Sequence, residues 1–184
     1  RSRSGMSLDK DKNSVRLRAL TMDDARITWK WRNQEEVRND FSGHPFPVSL
    51  DEEVQWYEKN IKVNFPNTCF GVEEVKGSHL VGMTFLKNIH MIFRHAEFSI
   101  LIDGAQKGKG YGKEACYKTL EFGFRQLGLN KIYLKVRTDN TSAIRIYESC
   151  GFKVEGTIRE DIYKQGKYID QFCMGILISE FEKL

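Results

Sequence analysis

The stretch "QKGKGYGKEA" at residues 106–115 places three glycines and three lysines in ten positions. It follows a β-type segment, residues 94–102, and apolar residues recur at helical spacing after it, from Cys116 to Leu127. A strand, a glycine-rich turn and a helix start form an anion site. The glycines let successive backbone N–H groups point into one concavity, and the helix amino end adds about half a positive charge. The stretch therefore predicts a site for a phosphate or a pyrophosphate.

Two familiar nucleotide-binding loops match this spacing poorly. A Walker A loop needs G-x-x-x-x-G-K-[ST], but Gly108 and Gly112 are one residue too close, and Glu114 replaces the magnesium-binding hydroxyl. A dinucleotide-binding loop needs G-x-G-x-x-G at the first crossover of a parallel sheet, whereas these glycines alternate and follow a predicted antiparallel meander. Taken alone, the stretch is also compatible with a flexible, solvated turn.

The downstream segment "NTSAIRIYESCGF", residues 140–152, adds two side chains that favour a ligand site. Asn140 and Tyr147 are seven residues apart, or two helical turns, so they project from nearly the same face of a short helix. Asn140 can cap this helix while its amide meets a ligand amide, and Tyr147 presents a phenol further along the same side. A core tyrosine with a satisfied hydroxyl is the alternative for Tyr147, and the nearby glycines favour the functional interpretation.

Two helices are predicted near the start of the chain. Residues 21–38 carry acidic residues in the first turn and apolar residues near helical spacing, which predicts one helix beginning around Met22. Residues 50–61 place apolar residues on one face, after Ser49 and Glu52 at the spacing of a capping box. Both helices precede the strands of the domain.

Strand signals dominate the middle and the end of the chain. The predicted strands lie at 69–75, 79–89, 94–102 and 131–137, with one or two more at the end, including "KYIDQFCMGIL". The first three are expected to form an antiparallel meander. The chain thus predicts one α/β domain of the α+β type over residues 15–184, in which helices flank a mixed, mostly antiparallel sheet. Residues 1–14 are expected to be a disordered segment or a tag.

The two motifs together resemble the GNAT superfamily of acetyl-CoA-dependent N-acetyltransferases, in the spermidine, ribosomal-protein N-terminal and amino-sugar-nucleotide branch. The family's pyrophosphate loop is (Gln/Arg)-x-x-Gly-x-(Gly/Ala), which falls here on Lys107, Gly110 and Gly112. Lys107 stands where Gln or Arg is usual, a change that matters little to a loop that binds through its backbone amides. The resemblance covers the chain from about Arg16 to Leu177.

The resemblance implies a single GNAT-like domain with acetyl-CoA as co-substrate, a primary-amine acceptor and no metal. It implies that a strand edge and a loop hold the cofactor, with Asn140 on the pantetheine. The strand residues are Ile100, Leu101 and Ile102, and the loop residues are Lys107, Gly108, Lys109, Gly110, Tyr111, Gly112 and Lys113. Tyr147 would lie beside the sulfur, where a phenol with a pKa of about 10 can protonate the leaving thiolate.

The strand that leads to the loop contains a candidate base for the amine, Glu97. Strand alternation puts Glu97 on the same face as Ser99 and Leu101, and the family pattern often has a carboxylate here that binds the amine or relays its proton. Glu97 is therefore assigned as catalytic base or amine anchor, with a surface carboxylate as the alternative. His95 on the same face is a weaker candidate.

Three classes of amine acceptor are compatible with the sequence. The motif spacing is similar to that of spermidine acetyltransferases, yet "FSGHPFPVSL" at residues 41–50 lacks the carboxylates that a polycation site would want. The helix sequences also look like those of amino-sugar-nucleotide and ribosomal-protein N-terminal acetyltransferases. In that case Trp29, Trp31 and Arg32 could line the acceptor pocket, with helix packing as the alternative role.

Composition argues against several other classes of function. The net charge of +4 is spread along 184 residues, which falls short of a nucleic-acid-binding surface. No run approaches the roughly 20 apolar residues of a membrane span and no signal-peptide core is present, so a cytoplasmic protein without membrane contact is expected. The four cysteines and four histidines lack metal-ligand spacing, so reduced thiols and no metal site are expected.

These observations predict an N-acetyltransferase in which the amine attacks acetyl-CoA directly. No acyl-enzyme is expected, because Cys116 and Cys150 fall on predicted helices away from the reacting sulfur. The alternative is an acyl-CoA-binding or sensing module of the same fold without turnover. Homo-oligomerisation is compatible with either function.

Overall fold

The computed structural model describes residues 13–38, 46–61 and 67–184 in full and residues 39–40 by their backbone. Of the predicted disordered segment, residues 1–12 lie outside the described residues. The described chain contains seven strands: β1 (Val15–Arg18), β2 (Thr68–Glu74), β3 (Leu80–His90), β4 (His95–Ile102), β5 (Lys131–Arg137), β6 (Lys153–Lys164) and β7 (Lys167–Leu177). It also contains six α-helices: α1 (Ala25–Arg32), α2 (Glu35–Asp40), α3 (Leu50–Asn60), α4 (Tyr111–Arg125), α5 (Thr141–Ser149) and α6 (Ile178–Phe181). Short 3-10 turns lie at Met22–Asp24 and Gly104–Gln106.

The strands form one sheet in the order β1-β2-β3-β4-β5-β7-β6. Its first four strands are antiparallel neighbours, β4 and β5 are parallel, and β7 pairs antiparallel with both β5 and β6. The predicted α+β class, the antiparallel meander and the mixed, mostly antiparallel sheet are therefore confirmed.

Helices cover both faces of this sheet. The larger apolar cluster lies between the sheet and helices α4 and α5, and includes Phe98, Leu120 and Ile132. A second cluster joins α1, α2 and α3 to the other face through residues such as Trp31, Tyr57 and Leu101. Because Phe98 and Leu101 belong to different clusters, β4 is packed from both sides.

The first predicted helix is wrong as a single element, because the chain bends between α1 and α2. The Asn33 side chain causes the break: its amide donates to the carbonyls of Trp29 and Val48, and its carbonyl accepts the Val48 N–H. Such side-chain bonds compete with the helical backbone pattern. The second predicted helix is confirmed as α3, with Ser49 and Glu52 forming the predicted capping box.

Strand β1 is absent from the predicted elements. Val15 and Leu17 alternate with two arginines, and Val15 is fully buried against the sheet. Glu73 of β2 accepts hydrogen bonds from both Arg16 and Arg18. This period-two alternation is the signal for the strand, but it spans four residues.

Helix α4 begins at Tyr111, so Gly112 lies in its first turn, and the predicted apolar stripe is buried as far as Phe124. Gly151 follows α5 with a φ of +93°, as its predicted role in closing the helix requires. None of the helices in the described part of the chain is both long enough and apolar enough to span a membrane.

Candidate active site

The sheet opens between its two central strands. Within the described chain, β4 and β5 pair at His95–Lys131, Ala96–Ile132 and Glu97–Tyr133, and the ladder ends there. Both strands continue, β4 paired with β3 as far as Ile102 and β5 paired with β7 as far as Arg137. The β4 edge beyond Glu97 therefore presents backbone N–H and C=O groups that no neighbouring strand uses.

A cavity of about 500 Å³ lies against this open edge. It contains most of the site residues expected from the sequence: Ile100, Leu101, Ile102, Lys107, Gly108, Gly110, Tyr111, Gly112, Lys113, Asn140 and Tyr147. Two of the expected residues do not line it. The Lys109 ammonium instead bonds to the Gln106 side chain at 2.6 Å, and Glu97 lies outside on β4.

Five further residues also line the cavity, and none of them was assigned to the site from the sequence. They are Val37, Gln106, Ser142, Ala143 and Ile146. The last three lie on the helix turns between Asn140 and Tyr147, so helical periodicity could have indicated them. Val37 reaches the cavity from α2, and it belongs to the apolar cluster that also contains Leu101 of β4. No short-range signal in the sequence indicates this contact.

The glycine loop gives the cavity a positively polarised end. Gly108 and Gly110 have φ values of +81° and +86°, which side-chain-bearing residues rarely adopt. Gly110 is the N-cap of α4, and no side chain in the described part of the chain caps this end, so the first N–H groups of the helix can bind an anion. Lys107 and Lys113 line the same end.

Asn140 is held by its carbonyl oxygen. This atom accepts hydrogen bonds from the Ala143 N–H at 3.2 Å and from the Ser142 hydroxyl at 3.1 Å, which caps α5. The cap fixes the side chain at the cavity wall and leaves the amide N–H groups as donors. This arrangement suits an acceptor group on a bound ligand.

Tyr147 lies at the apolar end of the cavity, with 8% of its surface exposed. Its ring packs edge-on against Phe98 and Phe152. Burial raises the pKa of the Tyr147 phenol well above its usual value, and the thiols of Cys116 and Cys150 add to the rise. The phenol is therefore protonated at neutral pH and can donate to an anion formed beside it.

Glu97 lies where the ladder between β4 and β5 ends. Its neighbours across the strands are Lys87 on β3 and Tyr133 on β5. The Asn88 side-chain amide donates to the Glu97 carboxylate at 3.0 Å. As predicted, Glu97, Ser99 and Leu101 share one face of β4, because Ala96 and Phe98 are buried on the opposite face.

Comparison with known protein families identifies this arrangement. Residues 14–153 match the family described as acetyltransferase (GNAT) domain. The chain belongs to the GNAT acetyltransferase family. The predicted family is thus confirmed.

Individual GNAT relatives extend over nearly the whole chain. A spermidine N(1)-acetyltransferase of Vibrio cholerae is 34% identical over 169 residues, which cover 92% of this chain and 96% of the relative. The spermidine N(1)-acetyltransferase of Escherichia coli K12 is 30% identical over 173 residues, covering 92% and 89%. A crystal structure of the Vibrio cholerae spermidine N-acetyltransferase in complex with CoA and spermine matches with a TM-score of 0.86, 34% identity and coverage of 93% and 99%. The chain is an acetyl-CoA-dependent N-acetyltransferase.

Helices α1 and α3 are held together by buried polar bonds. Glu53, 1% exposed, accepts hydrogen bonds from Thr28 at 2.7 Å and from Arg32 at 3.1 Å. The Trp29 indole donates to the Val48 carbonyl, and Trp31 is buried in the core. These contacts favour packing as the role of Trp29, Trp31 and Arg32, the alternative to an acceptor pocket.

Proposed function

We propose that this GNAT enzyme acetylates a primary amine of a polyamine such as spermidine. The main support for acetyl transfer is the opening of the sheet between β4 and β5. One cavity there is lined by the free edge of β4, the glycine loop and Tyr147, so a single extended ligand can contact all three. The names of the relatives, spermidine N(1)-acetyltransferases at 30–34% identity, support the acceptor class.

In this proposal the cavity holds acetyl-CoA along its length. Residues 100–102 offer free strand-edge groups to the amides of the pantetheine arm, and the Asn140 amide donates to the same arm. The loop of residues 107–113 surrounds the pyrophosphate through its N–H groups, with Lys107 and Lys113 adding positive charge. The thioester then lies near Tyr147.

The chemistry proceeds by direct attack of the amine. The ammonium of the acceptor loses a proton toward Glu97, the amine nitrogen attacks the thioester carbonyl, and the C–S bond breaks. The Tyr147 phenol protonates the leaving CoA sulfur, and the amide nitrogen releases its second proton to solvent. Cys116 and Cys150 are fully buried and do not line the cavity, which supports a mechanism without an acyl-enzyme.

Acidic groups on α2 support a polycationic acceptor. Glu35 and Glu36 are exposed in the first turn of α2, ahead of cavity-lining Val37. The adjoining Gln34 bonds to Asp103 at the end of β4, which brings a third carboxylate close. Residues 41–50, where a polycation site was expected to carry acids, contain none, and residues 41–45 lie outside the described residues. Glu35 and Glu36 lie on the preceding helix instead, where they can attract the ammonium groups of a polyamine.

Thiol release from acetyl-CoA tests the acceptor directly. The purified chain is incubated with acetyl-CoA and either spermidine, an amino-sugar nucleotide or a peptide beginning with serine or alanine. Release with spermidine alone is the expected result. Release with one of the other amines would keep the N-acetyltransferase and reject the polyamine.

A binding module without turnover gives a different result in the same assay. It would bind CoA, measured by calorimetry, and release no thiol with any of the three acceptors. An enzyme would both bind CoA and release its thiol in the presence of the acceptor. Mass spectrometry would then identify the acetylated amine.

A further inference from the structure

The first turn of α4 is attached to the edge of the sheet by a largely buried carboxylate. Glu114 accepts hydrogen bonds from the backbone N–H groups of Ser14 at 3.3 Å and Val15 at 3.1 Å. Its side chain is only 10% exposed, although acidic side chains usually face water. Lys118, one turn later, lies 3.3 Å from the Glu114 carboxylate and donates to the Val15 carbonyl at 2.6 Å. Two charged side chains of α4 thus hold the start of β1 through its backbone.

A second carboxylate attaches the same helix turn to the neighbouring strand. Glu74 of β2 is the partner of Val15 across the β1–β2 ladder, and it accepts a hydrogen bond from the phenol of Tyr111 at the start of α4. Val15 and Tyr111 also belong to one apolar cluster. Polar and apolar contacts therefore fix the start of α4 to a single pair of residues in the sheet.

Glu114 lies directly behind the anion-binding end of the cavity. Its N–H donates to the Gly110 carbonyl at 3.2 Å, which closes the first turn of α4. The N–H groups of residues 111–113 precede this bond and have no acceptor within the helix, and all three residues line the cavity. The turn that presents these N–H groups to a ligand is thus the turn that Glu114 attaches to β1.

Electrostatics alone does not explain a carboxylate at this place. A negative charge close to an anion site repels the anion, so Glu114 should by its charge weaken the binding of a pyrophosphate. Glu114 does not line the cavity, and its carboxylate bonds to β1 instead. Its contacts with β1 therefore indicate its role better than its charge does.

We propose that Glu114 is a positioning residue that fixes the pyrophosphate-binding turn of α4 against β1 and thereby sets the affinity for acetyl-CoA. This inference rests on the proposed function, because it needs the N–H groups of residues 111–113 to bind the pyrophosphate. Without the carboxylate, the turn can shift relative to the β4 edge that holds the pantetheine arm in that proposal. The two parts of the site then no longer fit one ligand, so binding weakens although no ligand contact is removed.

Glu114→Gln tests the role while keeping the size of the side chain. One amide oxygen replaces two carboxylate oxygens, so one of the two β1 N–H groups loses its acceptor. Calorimetric titration should show a Kd for acetyl-CoA about tenfold higher than in the parent chain, whereas loss of the negative charge by itself would lower this Kd. With both substrates saturating, kcat should change less than about twofold.

Glu121→Gln is the matched control on the same helix. Glu121 pairs with Arg125 at the same four-residue spacing that separates Glu114 from Lys118, but its side chain is 41% exposed. The substitution removes the same charge from α4 without altering a contact to β1. Its Kd for acetyl-CoA should equal that of the parent chain.

A shortened substrate tests whether Glu114 acts through the pyrophosphate. S-acetylpantetheine carries the thioester and the pantetheine arm but lacks the pyrophosphate. Its kcat/KM should be the same in Glu114→Gln and in the parent chain, whereas kcat/KM for acetyl-CoA should fall about tenfold. A merely structural role, in which part of the variant is unfolded, would lower both values equally.

Ser14→Pro changes the other side of the contact and leaves α4 intact. Proline removes the backbone N–H that bonds to Glu114, while the residue 14 carbonyl can still accept from the Val75 N–H at 2.9 Å. We expect the Kd for acetyl-CoA to rise about fivefold. In the double variant with Glu114→Gln the two losses should not multiply, because both substitutions remove the same interaction. If Glu114→Gln does not fold, Ser14→Pro keeps the test.

Three results would overturn the positioning role: an unchanged or lower Kd for acetyl-CoA in Glu114→Gln, an equal loss of kcat/KM with S-acetylpantetheine, or losses that multiply in the double variant. The proposed function fails separately, when the parent chain releases no thiol with any amine or uses both thioesters equally well. A parent that prefers acetyl-CoA and turns over, with Glu114→Gln equal to it, rejects the positioning role alone.

Discussion

Glu97 of β4 and Tyr133 of β5 form the last pair of the parallel ladder at the centre of the sheet. The cavity begins three residues later, at Ile100. Burial raises the pKa of the Tyr133 phenol, and the nearby charge of Glu97 raises it further. The paired part of the sheet thus carries the carboxylate, and the open part carries the free backbone groups, so the end of one ladder separates the proposed base from the proposed acetyl-CoA site.

Replacement of Tyr147 by phenylalanine should separate chemistry from binding. The ring contacts with Phe98 and Phe152 remain, while the proposed proton donor to the CoA sulfur is lost. We expect kcat to fall about 100-fold or more and the Kd for acetyl-CoA to change less than about threefold. Tyr117→Phe on α4 is the control, since Tyr117 packs on Phe181 away from the cavity. Equal losses of kcat and affinity would contradict the proton-donor role.

Gly110 should be intolerant of a side chain for a conformational reason. A Cβ at Gly110 meets no atom within 4 Å, so the cost of Gly110→Ala comes from its φ of +86°, at roughly 1–2 kcal/mol. Because Gly110 is the N-cap of α4, relaxation of this strain should reorient the N–H groups that are proposed to bind the pyrophosphate. We expect the KM for acetyl-CoA to rise about tenfold.

Gly156→Ala provides the comparison for Gly110→Ala. Gly156 also has open space around its Cα, but its φ is not positive and it lies on β6, away from the cavity. Steady-state kinetics should show an unchanged KM for acetyl-CoA in this variant. A similar rise in both variants would point to general destabilisation.

The residues of the candidate site could be predicted from the sequence more fully than the helix break near it. The alternating glycines of residues 106–115 and the seven-residue spacing of Asn140 and Tyr147 are local patterns, and the structure brings both to one cavity. The break at Asn33 depends on Val48, fifteen residues later, and no local pattern indicates it.

Long-range packing explains the remaining differences. Val37 reaches the cavity from α2 and belongs to the same apolar cluster as Leu101, and β1 is held through Glu73, more than fifty residues away. The divergence of β4 from β5 arises between two strands that each look regular in sequence. Periodicity therefore predicted the strands but not the opening between them.

Asp24 should make stability depend on pH in the acid range. Burial alone would raise the pKa of the Asp24 carboxyl, but hydrogen bonds from the Arg18 guanidinium and the Thr21 N–H outweigh it and lower the pKa. A lowered pKa in the folded state stabilises the fold above the unfolded value of about 3.8, and this stability is lost as the pH falls through the folded value.

Asp24→Asn should remove this contribution. We expect the free energy of unfolding at pH 7 to fall by about 2 kcal/mol and its slope between about pH 5 and pH 2 to become shallower. Urea unfolding at several pH values measures both quantities. Asp23→Asn, on the neighbouring exposed residue, is the control and should leave the slope unchanged. An identical slope in Asp24→Asn and the parent chain would contradict the assignment.

Asn140→Asp should divide the two tasks of the Asn140 side chain. An aspartate oxygen can still accept from the Ala143 N–H and the Ser142 hydroxyl, so the α5 cap and the Tm should be retained. The amide donors proposed for the pantetheine arm are lost, which should weaken acetyl-CoA binding about tenfold. Asn140→Ala loses both tasks and should also lose about 1 kcal/mol of stability. Calorimetric titration with CoA, together with thermal melting, distinguishes the variants. Full CoA affinity in Asn140→Asp would assign the residue to the helix cap alone.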